Sequence, residues 1–225
     1  MSFIFVYGPC WNNLHTLLNT IKNNFAICPN TKAIYIATND SNVLEYFHSV
    51  AIKNIICEKF ADNQGHQTSC YNSIIYGIHM VIKHEENNDD NDIVIYSHED
   101  VYINDIQLFN NSLKKLNQGY DIVCRKYMGT MKGESLDYYM NDAFLIRKRK
   151  INEIFGKYSQ QTIHVGMFCE NEFTKIIQNY NVFSFPYYLH STHKDSELGF
   201  YHIINYDIGN IPFWDKSNIE DILQA

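Results

Sequence analysis

No stretch of this sequence approaches the roughly 20 consecutive apolar residues that a membrane-crossing helix needs. Positive charge is also short: 18 Lys and Arg stand against 25 Asp and Glu, for a formal net charge of -7. A protein that tracks a phosphate backbone carries a basic stripe, so a nucleic-acid surface is not expected, while one nucleotide in a local pocket stays open. The six cysteines (Cys10, Cys28, Cys57, Cys70, Cys124 and Cys169) include no CxxC pair, which removes a zinc ribbon and a thioredoxin-type dithiol. They lie mostly in apolar surroundings, as free core cysteines do. The opening MSFIFVYGPCWNN has no basic start and too short an apolar run for a secretory signal. A reduced, cytoplasmic location is the expectation. No internal repeat or linker is evident.

What is present reads as globular. Of 225 residues, 45% are hydrophobic and 19% charged, and 17 Tyr with 14 Phe make the chain rich in aromatics. Single cores extend to about 250 residues before chains split, so one domain over 1–225 is expected. Asn and Ile are abundant and Ala is scarce, which suits an AT-rich coding genome such as that of a large DNA virus. FIFVYG (Phe3–Gly8) reads as a buried strand ending at a turn, and LHTLLNTIKNNF follows at helical spacing. KAIYIATND is a second strand, SNVLEYFHSV a helix capped by Ser41, and KNIICEKF a third strand. TSCYNSIIYGIHMVIKH carries a helical stripe through Ile74, Ile75, Ile78 and Val81, and the acidic loop EENNDDN leads to a fourth strand. This alternation implies an α/β fold with a Rossmann-like, mostly parallel central sheet flanked by helices. The second half reads as strands YDIVCRKYM and NVFSFPYYLHS with helices around IQLFNNSLKKL and ENEFTKIIQNY, then an irregular aromatic tail.

Ligands of open α/β sheets bind beyond the carboxyl ends of the strands. Gly8-Pro9, Asn39-Asp40 and His98-Glu99-Asp100 all fall at such ends. In DIVIYSHEDVYI (Asp92–Ile103) three ionisable residues arrive where a buried strand should stop. On an extended chain His98 and Asp100 share one face while Glu99 points away. A carboxylate and an imidazole converging there suit Mg²⁺ or, with the imidazole, Mn²⁺. The plainer reading stands beside it: Asp100 caps a turn and His98 is a half-buried histidine. Asp40 is placed to meet a base or ribose, or else to cap the next helix.

DNQGHQTSCYNSIIYGI followed by DIVIYSHEDVYI resembles the nucleotide-sugar glycosyltransferases of the GT-A fold, in particular the family-2-like group, whose strand-end DxD is often written HxD. In that pattern an Asn-x-Gly turn precedes a helix bearing an Asn, matched here by Asn63, Gly65 and Asn72. The gap from Asn72 to His98 is longer than usual, and EENNDDN looks like the insertion responsible. MNDAFLIRKRKI is similar to the acceptor-side segment, with Asn141 and Asp142 at its acidic position. CENEFTKII resembles the opening of the helix that supplies the catalytic base, which puts Glu170 at that position and Glu172 just after, where the usual residue is Asp. PYYLHST resembles the late strand whose His completes the metal site; that is His190, with His193 and His202 as rivals. The likeness spans about residues 3–195, and YGPCWNNL is its poorest match.

The resemblance implies a GT-A fold and metal-dependent transfer of a sugar from a nucleoside-diphosphate sugar to a hydroxyl of a glycan or other acceptor, with inversion by direct displacement. It divides the chain into a nucleotide and metal half, about 1–105, and an acceptor half, about 106–225. Asp100, His98 and His190 would hold Mn²⁺ or Mg²⁺, which stabilises the charge of a departing diphosphate. Gly8, Asp40, Asn63, Gly65 and Asn72 would contact the nucleotide. Glu170 would deprotonate the acceptor, with Glu172 the alternative base and Asp142 orienting the acceptor. Helix N-terminal carboxylates and a strand-end turn former are the plainer readings of these three. Two rivals stay open. A nucleotidyltransferase on a related fold would want a basic, Gly-rich loop for a triphosphate after the first strand, and YGPCWNN contains no Lys or Arg. A degenerate domain would bind a sugar nucleotide or a partner protein without turnover.

Overall fold

The computed structural model describes residues 1–8, 14–50, 52–60, 66–85, 91–103, 105–131, 134–163, 169–187 and 200–202. In chain order they form β1 (Phe3–Gly8), α1 (Leu14–Ile27), β2 (Thr31–Thr38), α2 (Ser41–Val50), β3 (Ile55–Lys59), α3 (His66–His84), β4 (Ile93–His98) and β5 (Val101–Ile103). There follow α4 (Ile106–Asn117), β6 (Ile122–Met131), β7 (Glu134–Arg147), α5 (Lys148–Phe155), α6 (Cys169–Ile177), β8 (Val182–Tyr187) and β9 (Phe200–His202). Seven strands make one sheet in the order β3-β2-β1-β4-β7-β6-β8, and β5 pairs with β9 in a separate ribbon. β1 is parallel to β2 and β4, β2 to β3 and β6 to β8, while β7 runs against both neighbours. The mostly parallel sheet expected from the sequence is what forms, with β7 as its reversed strand.

Alternation along β1 shows why these segments read as unbroken apolar runs. Ile4 and Val6 join a core with Ile74 and Ile78 of α3, Phe155 of α5 and Phe173 of α6. Phe3, Phe5 and Tyr7 join the opposite core with Leu17 of α1, Phe47 of α2 and Phe109 of α4. A strand covered on both faces has no side to leave polar. Each such side chain contributes about 1.5–3 kcal/mol by leaving water. Gly77 lets α3 settle onto β1, since a methyl group there would press on Val6. Five cysteines (Cys28, Cys57, Cys70, Cys124 and Cys169) are buried thiols outside any disulfide, and burial pushes the thiols of Cys28 and Cys57 up to about 12. No helix among the described residues is long and apolar enough to cross a membrane.

Two local expectations are corrected. Asp40, rather than Ser41, caps α2: its Oδ1 accepts from the Asn42 N–H at 2.7 Å, and the Leu44 N–H reaches its carbonyl. A carboxylate at that position satisfies an otherwise orphaned helical donor. Phe200–His202, expected to be irregular, form β9 because β5 offers an unpaired edge, with Val101 opposite His202. His190 and His193 lie outside the described residues, as do Asn63 and Gly65.

The amino ends of the strands are braced by one buried polar cluster. Lys32 Nζ meets Asp92 Oδ2 at 2.5 Å and Glu85 Oε2 at 3.0 Å. Tyr35 donates its hydroxyl to Glu85 at 2.7 Å, and the Ser2 N–H donates to Asp92 at 3.0 Å. The lysine thus joins β2, the end of α3 and the approach to β4. Burial works to lower its pKa, but hydrogen bonds to Asp92 and Glu85 outweigh that and raise it above the ordinary 10.5. Its contribution is therefore whole below pH 10.5 and fades only as pH rises past the folded value. Lys32→Met leaves two buried carboxylates uncompensated and should cost about 3–5 kcal/mol. Urea unfolding at pH 7 measures this, and a loss under about 1 kcal/mol, the worth of an exposed pair, would reduce the cluster to an ordinary surface contact.

Candidate functional site

β1, β2, β3 and β4 run parallel and end at one rim of the sheet. The strand order turns between β1 and β4, because β2 and β3 extend on one side while β4 leads to the other. Such a switch point opens a crevice at the carboxyl ends of its two strands. Gly8 and His98 pair directly across it. A methyl group at Gly8 would collide with the Tyr96 hydroxyl and the Ser73 side chain, which are bonded to each other at 2.8 Å. Glycine is thus needed where β1 leaves the sheet under the first turns of α3.

At the end of β4 the extended-chain geometry expected for His98 and Asp100 does not occur. The strand stops at His98, Glu99 and Asp100 form a turn, and β5 begins at Val101. The turn is pinned: Ser97 Oγ donates to the Val101 carbonyl at 2.5 Å, and Thr20 Oγ1 of α1 donates to the Glu99 carbonyl at 2.6 Å. His98 is buried, with its ring edge-on to Tyr96 at 5.7 Å. Glu99, expected to face away from the site, is 1% exposed and belongs to the packed interior. Asp100 is half-buried. Among the described residues no three His, Cys, Asp or Glu side chains converge as a metal site. Of the ligands the resemblance implies, His98 and Asp100 lie at this turn and His190 is outside the described residues. The β5–β9 register does set the His202 backbone opposite Val101, one residue past Asp100, which brings that rival of His190 to the rim.

β7 carries the largest irregularity. Cys124 pairs with Phe144 and Lys126 with Tyr139, so Arg125 alone faces the four residues 140–143. Bulges of this kind re-aim side chains beside sites. Asp142 is therefore not a strand-end turn former; it sits inside a strand, 3% exposed, in an ion pair with Arg125. Its Oδ1 also accepts from the Ala143 N–H at 2.9 Å. Ser97 pairs with Ala143, so His98 and Asp142 are the next residues of their strands at the rim. Asp142, expected to orient the acceptor, thus has its carboxylate paired with a guanidinium. Sequence reading missed Arg125, although a lone charge inside DIVCRKYM was its visible sign.

Asn141, in the same bulge, donates Nδ2 to Cys169 Sγ at 3.0 Å. Cys169 opens α6, takes Gln67 Oε1 of α3 on its N–H at 2.7 Å, and lies 3.4 Å by Sγ from Glu170 Oε2. Contact with Cys70 and then burial push the Cys169 thiol up, so it stays protonated and donates to that carboxylate. Glu170 is thus held beside the bulge. Glu172 is bound on its own helix by Lys175 at 2.6 Å. Glu170 is linked through Cys169 to the β7 bulge and to α3, while Glu172 interacts electrostatically with Tyr71 of α3.

On the β2 side the structure exchanges neighbours. Asp40 is occupied with capping α2, while Asn39 is 7% exposed and tied by Nδ2 to Ser69 Oγ of α3 at 3.1 Å. Its Oδ1 is buried and meets no hydrogen-bond donor among the described residues. Asn72 accepts from the Gln161 N–H at 2.9 Å and fixes the segment after α5, while the loop it is expected to hold before α3 lies outside the described residues.

If Asp142 is held by Arg125, its removal should be felt first in stability. Asp142→Asn is expected to cost about 3–5 kcal/mol by leaving a buried guanidinium uncompensated. Arg125→Met on that background should recover part of the loss. Denaturant midpoints of the two single variants and the double variant measure the coupling, and additive losses would dissolve the pair.

No protein-family model matches the chain, and no curated protein matches it by sequence. Solved structures do match in three dimensions. The 4-diphosphocytidyl-2C-methyl-D-erythritol synthase of Anaerococcus prevotii superposes with a TM-score of 0.52 at 10% identity, over 83% of this chain and 88% of that one. A second 4-diphosphocytidyl-2C-methyl-D-erythritol synthase gives 0.49 at 6% identity, over 70% of this chain and 80% of that one. HddC of Yersinia pseudotuberculosis gives 0.47 at 9% identity, over 83% and 90%. The first of these shares its fold with this chain: a Rossmann-like, mostly parallel sheet flanked by helices.

Proposed function

We propose that this chain is a nucleotide-dependent transferase whose nucleotide lies across the rim where β1, β2 and β4 end. The observation that carries the reading is the switch point itself, where Gly8 and His98 face each other under the start of the 19-residue α3. The amino end of such a helix presents free N–H groups and a positive dipole end to a phosphate. Glycine at position 8 lets Tyr96 and Ser73 close over the end of β1, and Glu170 stands at the opening of α6, beside the bulged β7.

Nucleotidyl transfer is the first reading, supported by the likeness in fold to a 4-diphosphocytidyl-2C-methyl-D-erythritol synthase along most of both chains. In that reaction a phosphate oxygen of the acceptor attacks the α-phosphorus of a nucleoside triphosphate and pyrophosphate leaves. Glycosyl transfer is the second reading. It is favoured by the absence of Lys and Arg from GPCWNN, where a triphosphate would want them, and by the carboxylate of Glu170. There the acceptor hydroxyl attacks the anomeric carbon, its proton passes to Glu170 and a nucleoside diphosphate leaves.

The two chemistries separate in one experiment. The protein is incubated with each nucleoside triphosphate plus a sugar or polyol phosphate, and with nucleoside-diphosphate sugars plus hydroxyl acceptors, in Mg²⁺ and in Mn²⁺, and followed by phosphorus NMR. Pyrophosphate release marks the first reading and nucleoside diphosphate release the second. Under glycosyl transfer Glu170→Gln should lower turnover by about 10²–10⁴-fold. Under nucleotidyl transfer the same variant should change it little, because an ionised phosphate needs no base. Absence of turnover, together with no thermal stabilisation by any nucleotide, would overturn the proposal.

A further inference from the structure

Glu170 is placed by the residue before it. Cys169 opens α6, is 2% exposed, and is fixed from two directions. Its N–H donates to Gln67 Oε1 in the first turn of α3 at 2.7 Å, which serves one of the amino-terminal donors that no carbonyl of α6 can reach. Its Sγ accepts from Asn141 Nδ2 at 3.0 Å, so the sulfur is tied to the β7 bulge as well. The thiol has one proton to place. Glu170 Oε2, 3.4 Å away, and the Cys70 sulfur compete for it, and a carboxylate is the stronger acceptor. Glu170 is half-buried, and among the described residues this thiol is the one hydrogen-bond donor its carboxylate meets. Oε2 is thereby occupied, and no described residue donates to Oε1.

We propose that Cys169 is the positioning residue of Glu170: its thiol holds the carboxylate by Oε2 and so presents Oε1 to the acceptor hydroxyl. This rests on the glycosyl-transfer reading and deepens it. A general base works only when its free oxygen lies within hydrogen-bond reach of the proton it removes. The last torsion of a glutamate is broad, so an unheld carboxylate samples orientations that miss. Gln67 stands on α3, the helix assigned to phosphate, so its bond to Cys169 also sets Glu170 relative to the donor. Cys169 keeps its proton throughout. The acceptor oxygen bonds the anomeric carbon, the bond from that carbon to the diphosphate breaks, and the acceptor's proton passes to Glu170. Contact with Cys70 and then burial push the thiol up, which keeps it a donor.

Two measurements on the whole chain test this. The first needs no substrate: the infrared S–H stretching band of Cys169, isolated by difference from the matching Cys169→Ser protein. Donation to a carboxylate lowers its frequency, so Glu170→Ala should move the band upward. A band indifferent to Glu170→Ala would overturn the inference. The second is steady-state transfer from a nucleoside-diphosphate sugar to a hydroxyl acceptor, read by phosphorus NMR as nucleoside diphosphate release. Cys169→Ala should lower kcat about 10-fold, the worth of one hydrogen bond to a charged group, with the donor KM unchanged. Cys169→Ser keeps a hydroxyl donor and should recover to within about 3-fold of wild type. Because the thiol acts through Glu170, Cys169→Ala should lower the residual rate of Glu170→Gln no further. Losses that add in the double variant, a serine no better than alanine, or a change in donor KM alone would each overturn the inference and leave glycosyl transfer in place. Pyrophosphate release from nucleoside triphosphates that is indifferent to both residues, or no turnover by the wild type, would overturn the inference together with that reading.

Discussion

A strand buried on both faces can place charge only at its ends, and that constraint organises this molecule. β1, β2 and β4 are apolar along their covered lengths because helices lie over both sides of the sheet. Polar side chains are driven to the two rims. At the amino rim they neutralise one another: Lys32, Asp92, Glu85 and Tyr35 form a closed set with a structural task. At the carboxyl rim Gly8 withholds a side chain, Asn39 Oδ1 meets no donor among the described residues, and His98 precedes the pinned turn of Glu99 and Asp100. The asymmetry between the rims is the physical reason to look for chemistry at one and stability at the other.

Arg125 and Asp142 are the exception that fits the rule by a different route. Both lie within strands and both are almost wholly buried, so each obliges the other. The bulge in β7 is what lets them meet, and it also brings Asn141 to Cys169 and so to the opening of α6. A reversed strand with extra residues thus links the nucleotide side of the sheet to the helix that carries Glu170.

The sheet was legible because periodicity and strand-end polarity are local signals. FIFVYG reads as β1 from residue types alone, and the strand–helix alternation implies parallel pairing without any long-range information. The site was legible only as far as strand ends go. That Asn39 and Asp40 close a strand is visible in KAIYIATND; which of them caps α2 and which is buried depends on where Ser69 and Asn42 lie in space. His98 and Asp100 were expected on one face because the chain was taken as extended, and the turn held by Ser97 and Thr20 removes that premise. Arg125 and Cys169 went unseen for the same reason. Their partners lie 17 and 28 residues away or more, across a bulge that no local pattern announces.

The central claim, that a nucleotide lies on the carboxyl rim, is tested most directly by backbone amide hydrogen exchange with and without saturating nucleoside diphosphate or triphosphate. Protection should rise in peptides covering residues 7–8, 38–40, 66–70 and 97–101, and stay unchanged around residues 31–33 and 91–93 at the opposite rim. Protection confined to the amino rim, or no change at the carboxyl rim under conditions where binding is independently measured, would contradict the account.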